Sequence, residues 1–264
     1  MSELKISLIQ TNLPWQKASD NRELLEQLLD TTIESTDLIL LPEMFTCSFD
    51  SDKNAIPEHM AGATVDWMRL MAVSYQAAIC GTIAITENGV RYNRLLFVTP
   101  KGKVQHYDKR HLFRMWGEDK RYMPGRRQVV IKWRNWRILP LVCYDLRFPV
   151  WCRNTEDLNY DLILCPANWP ASRTQAWQAL LRARAIENLA YVAGTNRIGK
   201  DGSGIEFSGS SMVLDPAGKV LLDAGDQMGG YTVSINREEL LDFRKSFPFH
   251  HDADAFLLAS SMDD

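Results

Sequence analysis

Apolar positions along the chain gather in short runs more often than in helical stripes. The segments 4–10, 37–41, 78–86, 91–99, 127–133, 136–143, 160–165, 190–195, 208–214 and 229–235 read as strands. Most of them are rich in branched or aromatic side chains and bounded by Gly, Pro, Asn or Asp, which end a ladder or turn the chain. Between some of them the period becomes 3.6. In 20–35, Leu24, Leu25, Leu28, Leu29 and Ile33 share one face, and Asp20 with Glu23 three residues on forms a candidate capping box. A second helix is predicted over 64–77, with Trp67, Leu70 and Met71 in line. A third starts near Ser172, has Gln175 at the capping-box position, and runs to about Asn188 with Trp177, Leu180, Leu181 and Ala185 on its apolar face.

This mixture is α/β, with too many strands for a simple βα alternation. The segments 78–86 and 91–99, joined through Glu87-Asn88-Gly89, read as a hairpin. Two packed sheets covered by helices outside account for both signals. No Gly/Ser- or Pro-rich linker interrupts the 264 residues, so a single domain over 1–264 is expected. The less periodic tail, 245–264, carries Phe247, Phe249 and Phe256 and is expected to be an arm packed on the body or on a second subunit.

Composition narrows the partners. A net charge of -3 with only short basic clusters such as Gly125-Arg126-Arg127 argues against nucleic acid. No apolar run approaches the roughly 20 residues of a membrane span. The five cysteines are odd in number, form no CxxC pair and follow no secretory leader, so a cytoplasmic chain with unbridged thiols is expected. The five histidines lack zinc-ligand spacing, and His250-His251 is read as a surface loop, so no metal is expected. Neither a G-x-G-x-x-G nor a Walker A pattern occurs, so no nucleotide cofactor is expected.

One internal echo points to a site. Asp37-Leu-Ile-Leu-Leu-Pro42 precedes Glu43, and Asp161-Leu-Ile-Leu-Cys-Pro166 precedes Ala167-Asn168-Trp169. Both are buried-type strands that meet a proline, and residues beyond strand carboxyl ends tend to surround a cleft. Glu43 and Asn168-Trp169 are therefore expected to face one another. A carboxylate after such a strand either turns back to solvent or has a task; burial makes it a better proton acceptor. Lys109, in His106-Tyr107-Asp108-Lys109-Arg110-His111-Leu112-Phe113, and Glu118, in Trp116-Gly117-Glu118-Asp119, are each also explained as surface charge. Cys143 is either an inert buried thiol or a nucleophile at the end of Leu139–Val142. In the second case the amides of the following turn point at sulfur and Arg147 raises the local potential. His111 is the best histidine partner for a Cys-His arrangement. No G-x-S-x-G elbow is present, Gly209-Ser210-Ser211 coming nearest.

Taken together, Leu41-Pro42-Glu43, Tyr107 to Phe113 and Cys143-Tyr144-Asp145-Leu146-Arg147-Phe148-Pro149 resemble the nitrilase (carbon–nitrogen hydrolase) superfamily. The resemblance continues through Pro166-Ala167-Asn168-Trp169, Arg182 to Asn188 and Gly209 to Pro216. Met44-Phe45-Thr46, Arg114 to Glu118 and Arg121 to Gly125 resemble its bacterial omega-amidase branch. The resemblance implies a four-layer α-β-β-α sandwich with two mostly six-stranded sheets, assembled as a homodimer. It implies a catalytic Glu43, Lys109 and Cys143, a second glutamate at Glu118, and an oxyanion donor in the backbone N–H of Tyr144. It implies hydrolysis, through a cysteine thioester, of the terminal amide of 2-oxoglutaramate, 2-oxosuccinamate and related dicarboxylate monoamides. The far carboxylate of such substrates calls for a cationic or amide-rich end. Arg147, Arg173 and Asn168 are candidates for it, Met115, Trp116 and Trp169 for the walls. Arg147 is equally well read as tied to a carboxylate near the turn. The competing readings are a deaminated-glutathione or N-carbamoyl amide hydrolase, a nitrilase, a non-catalytic binding subunit on this scaffold, and an unrelated Cys-His hydrolase.

Overall fold

A computed structural model describes residues 2–13, 18–47 and 57–258. Its first elements are β1 (Glu3–Gln10), α1 (Ala18–Thr32), β2 (Leu38–Leu40), α2 (Ala63–Ser74), β3 (Ala78–Glu87), β4 (Val90–Val98) and β5 (Val104–Asp108). Next come β6 (Ile131–Trp133), β7 (Trp136–Pro140), α3 (Pro149–Cys152), β8 (Leu162–Ala167), α4 (Thr174–Asn188) and β9 (Tyr191–Asn196). The last are β10 (Ile198–Lys200), β11 (Glu206–Ser208), β12 (Met212–Leu214), β13 (Val220–Asp223), β14 (Gly229–Asn236) and α5 (Arg237–Ser246).

Two six-stranded sheets form, ordered β14-β1-β2-β3-β4-β5 and β6-β7-β8-β9-β12-β13. Read in those directions they repeat one pattern: an antiparallel pair, two parallel pairs, then two antiparallel pairs. Strand alternation decides what lies between them. Leu4, Ile6, Leu8, Leu38, Leu40, Leu95 and Phe97 share one core with Trp136, Ile138 and Leu162 of the second sheet. The intervening Ile9, Ile39, Leu41, Leu96 and Val98 pack outward with Leu25 and Leu29 of α1 and Val65 and Met68 of α2. On the second sheet α4 lies so close to β9 that a Cβ on Gly194 would come within 2.7 Å of Leu181 and 2.9 Å of Trp177. The result is the expected helix–sheet–sheet–helix sandwich. Each fully buried aliphatic side chain contributes roughly 1.5–3 kcal/mol, far above the tenths of a kcal/mol that separate ordinary helix propensities. Burial between layers therefore sets the fold. Among the described residues no helix is long and apolar enough to cross a membrane.

The hairpin between β3 and β4 turns as expected, with Asn88 (φ 52) and Gly89 (φ 78) both left-handed, the geometry of a two-residue type I′ turn. Several expected boundaries move. Helix α1 begins at Ala18, so Asp20 lies in its first turn and not at its cap. A 3₁₀ turn, Ala171–Arg173, leads into α4, so Gln175 caps nothing. The strand expected over 127–133 shrinks to β6, because Pro140 would stand opposite Val129 and has no N–H to extend the ladder. Pro166 does not end β8, which runs to Ala167; β7 has already stopped opposite Leu164, so no ladder on that side is broken.

The expected strand 208–214 splits into β11 and β12 around left-handed Gly209 (φ 66) and Ser210 (φ 58). There the Gln10 carboxamide presses against Gly209 and accepts from Ser211 N at 3.0 Å and Oγ at 2.7 Å. In the tail, Phe247, Phe249 and Phe256 remain exposed, Phe247 lying against Phe243 of α5 and against Phe249; 259–264 lie outside the described residues.

Candidate active site

The residues that carry chemistry sit at strand ends of both sheets. After β2 the chain turns sharply: Met44 is left-handed (φ 48), its N–H donates to Thr82 Oγ1 at 2.8 Å, and Phe45 N donates to Thr82 O at 3.2 Å. That turn leaves Glu43 at the inner rim, buried. Lys109 follows β5 directly and is fixed by its backbone, N donating to Asn93 O at 3.0 Å and O accepting from Gly125 N at 2.9 Å. Glu118 opens a short 3₁₀ turn, and Phe113 N donates back to its Oε2 at 2.6 Å. Cys143 starts the 3₁₀ turn Cys143–Arg147 just beyond β7, with φ 44. Non-glycine residues in that conformation are costly and persist where their surroundings over-determine them.

These side chains converge. Lys109 Nζ donates to Glu43 Oε1 at 2.9 Å and to both oxygens of Glu118, at 3.0 and 2.9 Å. Asn93 Nδ2 bridges the same two carboxylates, 2.8 Å from Glu43 and 3.0 Å from Glu118. The echo between the sheets closes as expected: Asn168 N donates to Glu43 Oε2 at 2.9 Å, and Asn168 Nδ2 to Glu43 O at 3.0 Å.

The electrostatics follow from two buried carboxylates facing one ammonium. Burial alone disfavours charge on Lys109, yet Glu118 and Glu43 beside it hold its proton well above the usual lysine range. Glu118, fully buried and near Glu43, is held above the usual carboxylate range despite the opposing pull of Lys109. Burial pushes the Cys143 thiol well up, Glu43 pushes it further, and Lys109 only partly offsets them. The resting sulfur is therefore a thiol, and attack requires a base at the moment of reaction.

Cys143, Glu43 and Lys109 open into a cavity of about 360 Å³ including its mouth. Phe113, Trp116, Tyr144, Trp169 and Pro170 wall it, and Arg147, Asn168 and Arg173 complete it. Arg147 lies over the Trp169 ring at 4.8 Å, and Arg173 over Phe113 at 5.1 Å and Trp116 at 5.6 Å. Among the described residues neither guanidinium is paired with a carboxylate. The alternative in which Arg147 is tied to an acid near the turn is thus not realised.

Met115 is a correction: it is 78 % exposed and does not line the cavity. His111 is another, since its Nδ1 lies 2.8 Å from Asp145 Oδ1, its ring stacks on Phe148 and it does not line the cavity. Asn93, Phe113 and Pro170 were not anticipated. Asn93 had a signal, since alternation puts it on the same inner face as Leu95 and Phe97, where an amide needs a reason. Among the described residues no group of three His, Cys, Asp or Glu is arranged to hold a metal ion.

The lysine's placement also depends on Gly125, where a Cβ would fall 2.0 Å from Asp108 O. Gly125→Ala is expected to destabilise by roughly 1–3 kcal/mol, as overpacking does, and to lower turnover by moving Lys109. Thermal melting and initial rates test this; an unchanged melt would show that the loop yields freely.

With the fold and this constellation in place, comparison with known proteins is direct. The chain belongs to the carbon–nitrogen hydrolase family, whose model matches residues 5–245. It is 47 % identical over 261 residues to omega-amidase YafV of Yersinia enterocolitica, covering 98 % of this chain and 100 % of the relative. It is 46 % identical over 259 residues to omega-amidase YafV of Escherichia coli K12, with 98 % and 100 % covered. Among solved structures, XC1258 of Xanthomonas campestris, a CN-hydrolase superfamily protein with an arsenic adduct in its active site, superposes with a TM-score of 0.94. It is 43 % identical, over 98 % of this chain and 100 % of that one.

Proposed function

We propose that the chain is an omega-amidase that hydrolyses the terminal amide of 2-oxoglutaramate and related dicarboxylate monoamides through a thioester on Cys143. One observation carries the reading. The buried Glu43–Lys109–Glu118 cluster faces a neutral thiol at one part of a small cavity, which also holds two arginines that have no acidic partner among the described residues. The kinship with the two YafV omega-amidases supports the same substrate class.

In this reading Glu43 takes the Cys143 proton as sulfur attacks the amide carbon, forming the C–S bond and moving charge onto the carbonyl oxygen. Lys109 and the backbone N–H of Tyr144 stabilise that oxygen. Glu43 returns its proton to the nitrogen, the C–N bond breaks and ammonia leaves. Glu43 then activates a water that cleaves the thioester, releasing the acid and restoring the thiol. Glu118 holds Lys109 in place with charge-assisted hydrogen bonds. A single glutamate thus shuttles the proton in both directions, and no histidine is required.

Arg147 and Arg173 are assigned the far carboxylate. Losing one charge-assisted hydrogen bond costs about 1.5–3 kcal/mol, so Arg147→Met is expected to raise KM for 2-oxoglutaramate by roughly 10- to 100-fold. Its kcat should change little, and a neutral amide of similar length should be unaffected. Side-by-side assays of 2-oxoglutaramate, an N-carbamoyl amino acid and a simple nitrile test the reading; preference for either of the latter overturns it. Exposed Phe247 and Phe249 are assigned to contact with a second copy in a homodimer, and sedimentation as a monomer would count against that. Cys80, Cys143, Cys152 and Cys165 are buried and unbridged, in keeping with the cytoplasm.

A further inference from the structure

Asp145 stands two residues after the nucleophile, fully buried, and does not line the cavity. Its carboxylate nonetheless ties the two sides of the site together. Oδ1 accepts from His111 N at 2.9 Å and lies 2.8 Å from His111 Nδ1. Oδ2 accepts from Val142 N at 3.0 Å and from Tyr107 Oη at 2.8 Å. Val142 immediately precedes Cys143, at the end of one sheet. His111 lies two residues after Lys109, at the end of the other. A second tier stiffens the tie: Tyr107 Oη accepts from Trp151 Nε1 at 3.0 Å and from Arg110 N at 3.3 Å, and His111 stacks on Phe148 at 3.7 Å.

We propose that Asp145 is a positioning residue whose carboxylate fixes the backbone before Cys143 against the backbone after Lys109. It thereby sets the geometry between nucleophile and oxyanion donor. The inference rests on the roles assigned above to Cys143 and Lys109. The arrangement also dictates a carboxylate. Each oxygen takes one backbone N–H, which can only donate, together with one side-chain partner that can reverse its role. The amide of an asparagine would turn its NH₂ toward Val142 N in one orientation and toward His111 N in the other. Either way one backbone tie is lost and two donors are opposed. Tyr107 and His111 are less critical, because removing either side chain leaves both backbone ties in place.

The test compares wild type, Asp145→Asn, Tyr107→Phe and Cys143→Ala. Three quantities are read: thermal melting, single-turnover acylation of Cys143 by 2-oxoglutaramate in intact mass, and alkylation of Cys143 by iodoacetamide. Misplacing reacting groups by about 1 Å costs about 10²-fold, so Asp145→Asn is expected to slow acylation by about that factor. KM and iodoacetamide alkylation, which need the thiol but not the Lys109 geometry, should stay within about threefold of wild type. Tyr107→Phe should show the same split with an acylation loss of about three- to tenfold. Acylation of Asp145→Asn within about threefold of wild type overturns the proposal. So does loss of cooperative melting in Asp145→Asn combined with wild-type acylation in Tyr107→Phe, which marks a purely structural acid. If wild-type Cys143 is alkylated but never acylated, the functional reading itself fails, a result distinct from either.

Discussion

Cys143→Ala is expected to abolish amide turnover, by at least about 10⁴-fold, because removing a nucleophile that acts within a catalytic unit leaves only binding and oxyanion stabilisation. The fold should be almost indifferent. The sulfur sits at the edge of the core where it borders a cavity, so little packing is lost, and alanine meets the same left-handed backbone (φ 44) that cysteine does. None of the other four thiols, Cys47, Cys80, Cys152 and Cys165, lines the cavity, and burial pushes Cys80 and Cys165 well up and Cys152 to about 12. Intact mass of wild type quenched during turnover should show an acyl adduct that Cys143→Ala lacks, with melting temperatures within a few degrees. Retained turnover, or an adduct on another residue, would remove Cys143 from the mechanism.

Much of this site was legible because both sheets repeat one strand pattern and reuse one sequence device. Asp37 and Asp161 stand before equivalent strands and do the same job: Asp37 Oδ2 accepts from Lys5 N at 2.9 Å and Asp161 Oδ2 from Arg137 N at 3.0 Å, each locking the neighbouring strand. The residues after those strands, Glu43 and Asn168, then meet by symmetry of placement. Continuous apolar runs likewise announced most strands, since the inner and outer faces of the first sheet are both buried.

What was not legible depends on contacts without a local signature. Strand β5 is mostly polar in sequence, because as an edge strand it needs only Tyr107 inside. The two uses of Asp145 were hidden for a related reason: its partners lie at residues 107, 111 and 142, and only the fold brings the first two to the third. Arg147 was undecided because local sequence cannot say whether an acid lies within reach; across the fold, an indole and not a carboxylate fills its neighbourhood.

The same long-range convergence makes Lys109 the position whose loss should be felt most widely. Lys109→Met leaves Glu43 and Glu118 buried side by side, bridged by the neutral Asn93. Breaking a buried ion pair from one side typically costs about 3–5 kcal/mol, so a marked drop in melting temperature is expected. Turnover should fall by at least about 10²- to 10³-fold, the usual cost of one oxyanion donor. The pH dependence separates this account from simple loss of packing. Lys109 now pulls the Glu118 proton affinity down, while burial and Glu43 push it up. Without the ammonium the folded state holds a proton that the unfolded chain releases. More protons are then bound in the folded state than in the unfolded, so stability must fall as pH rises. Lys109→Met should therefore melt higher at pH 5 than at pH 8, with a steeper decline than wild type, in which the ammonium keeps its proton throughout. Adding Glu118→Gln to Lys109→Met should flatten that decline, because the group that needs the proton is gone. A variant that melts alike at both pH values, or a double variant that keeps the slope, would mean that the carboxylates are not in electrostatic opposition.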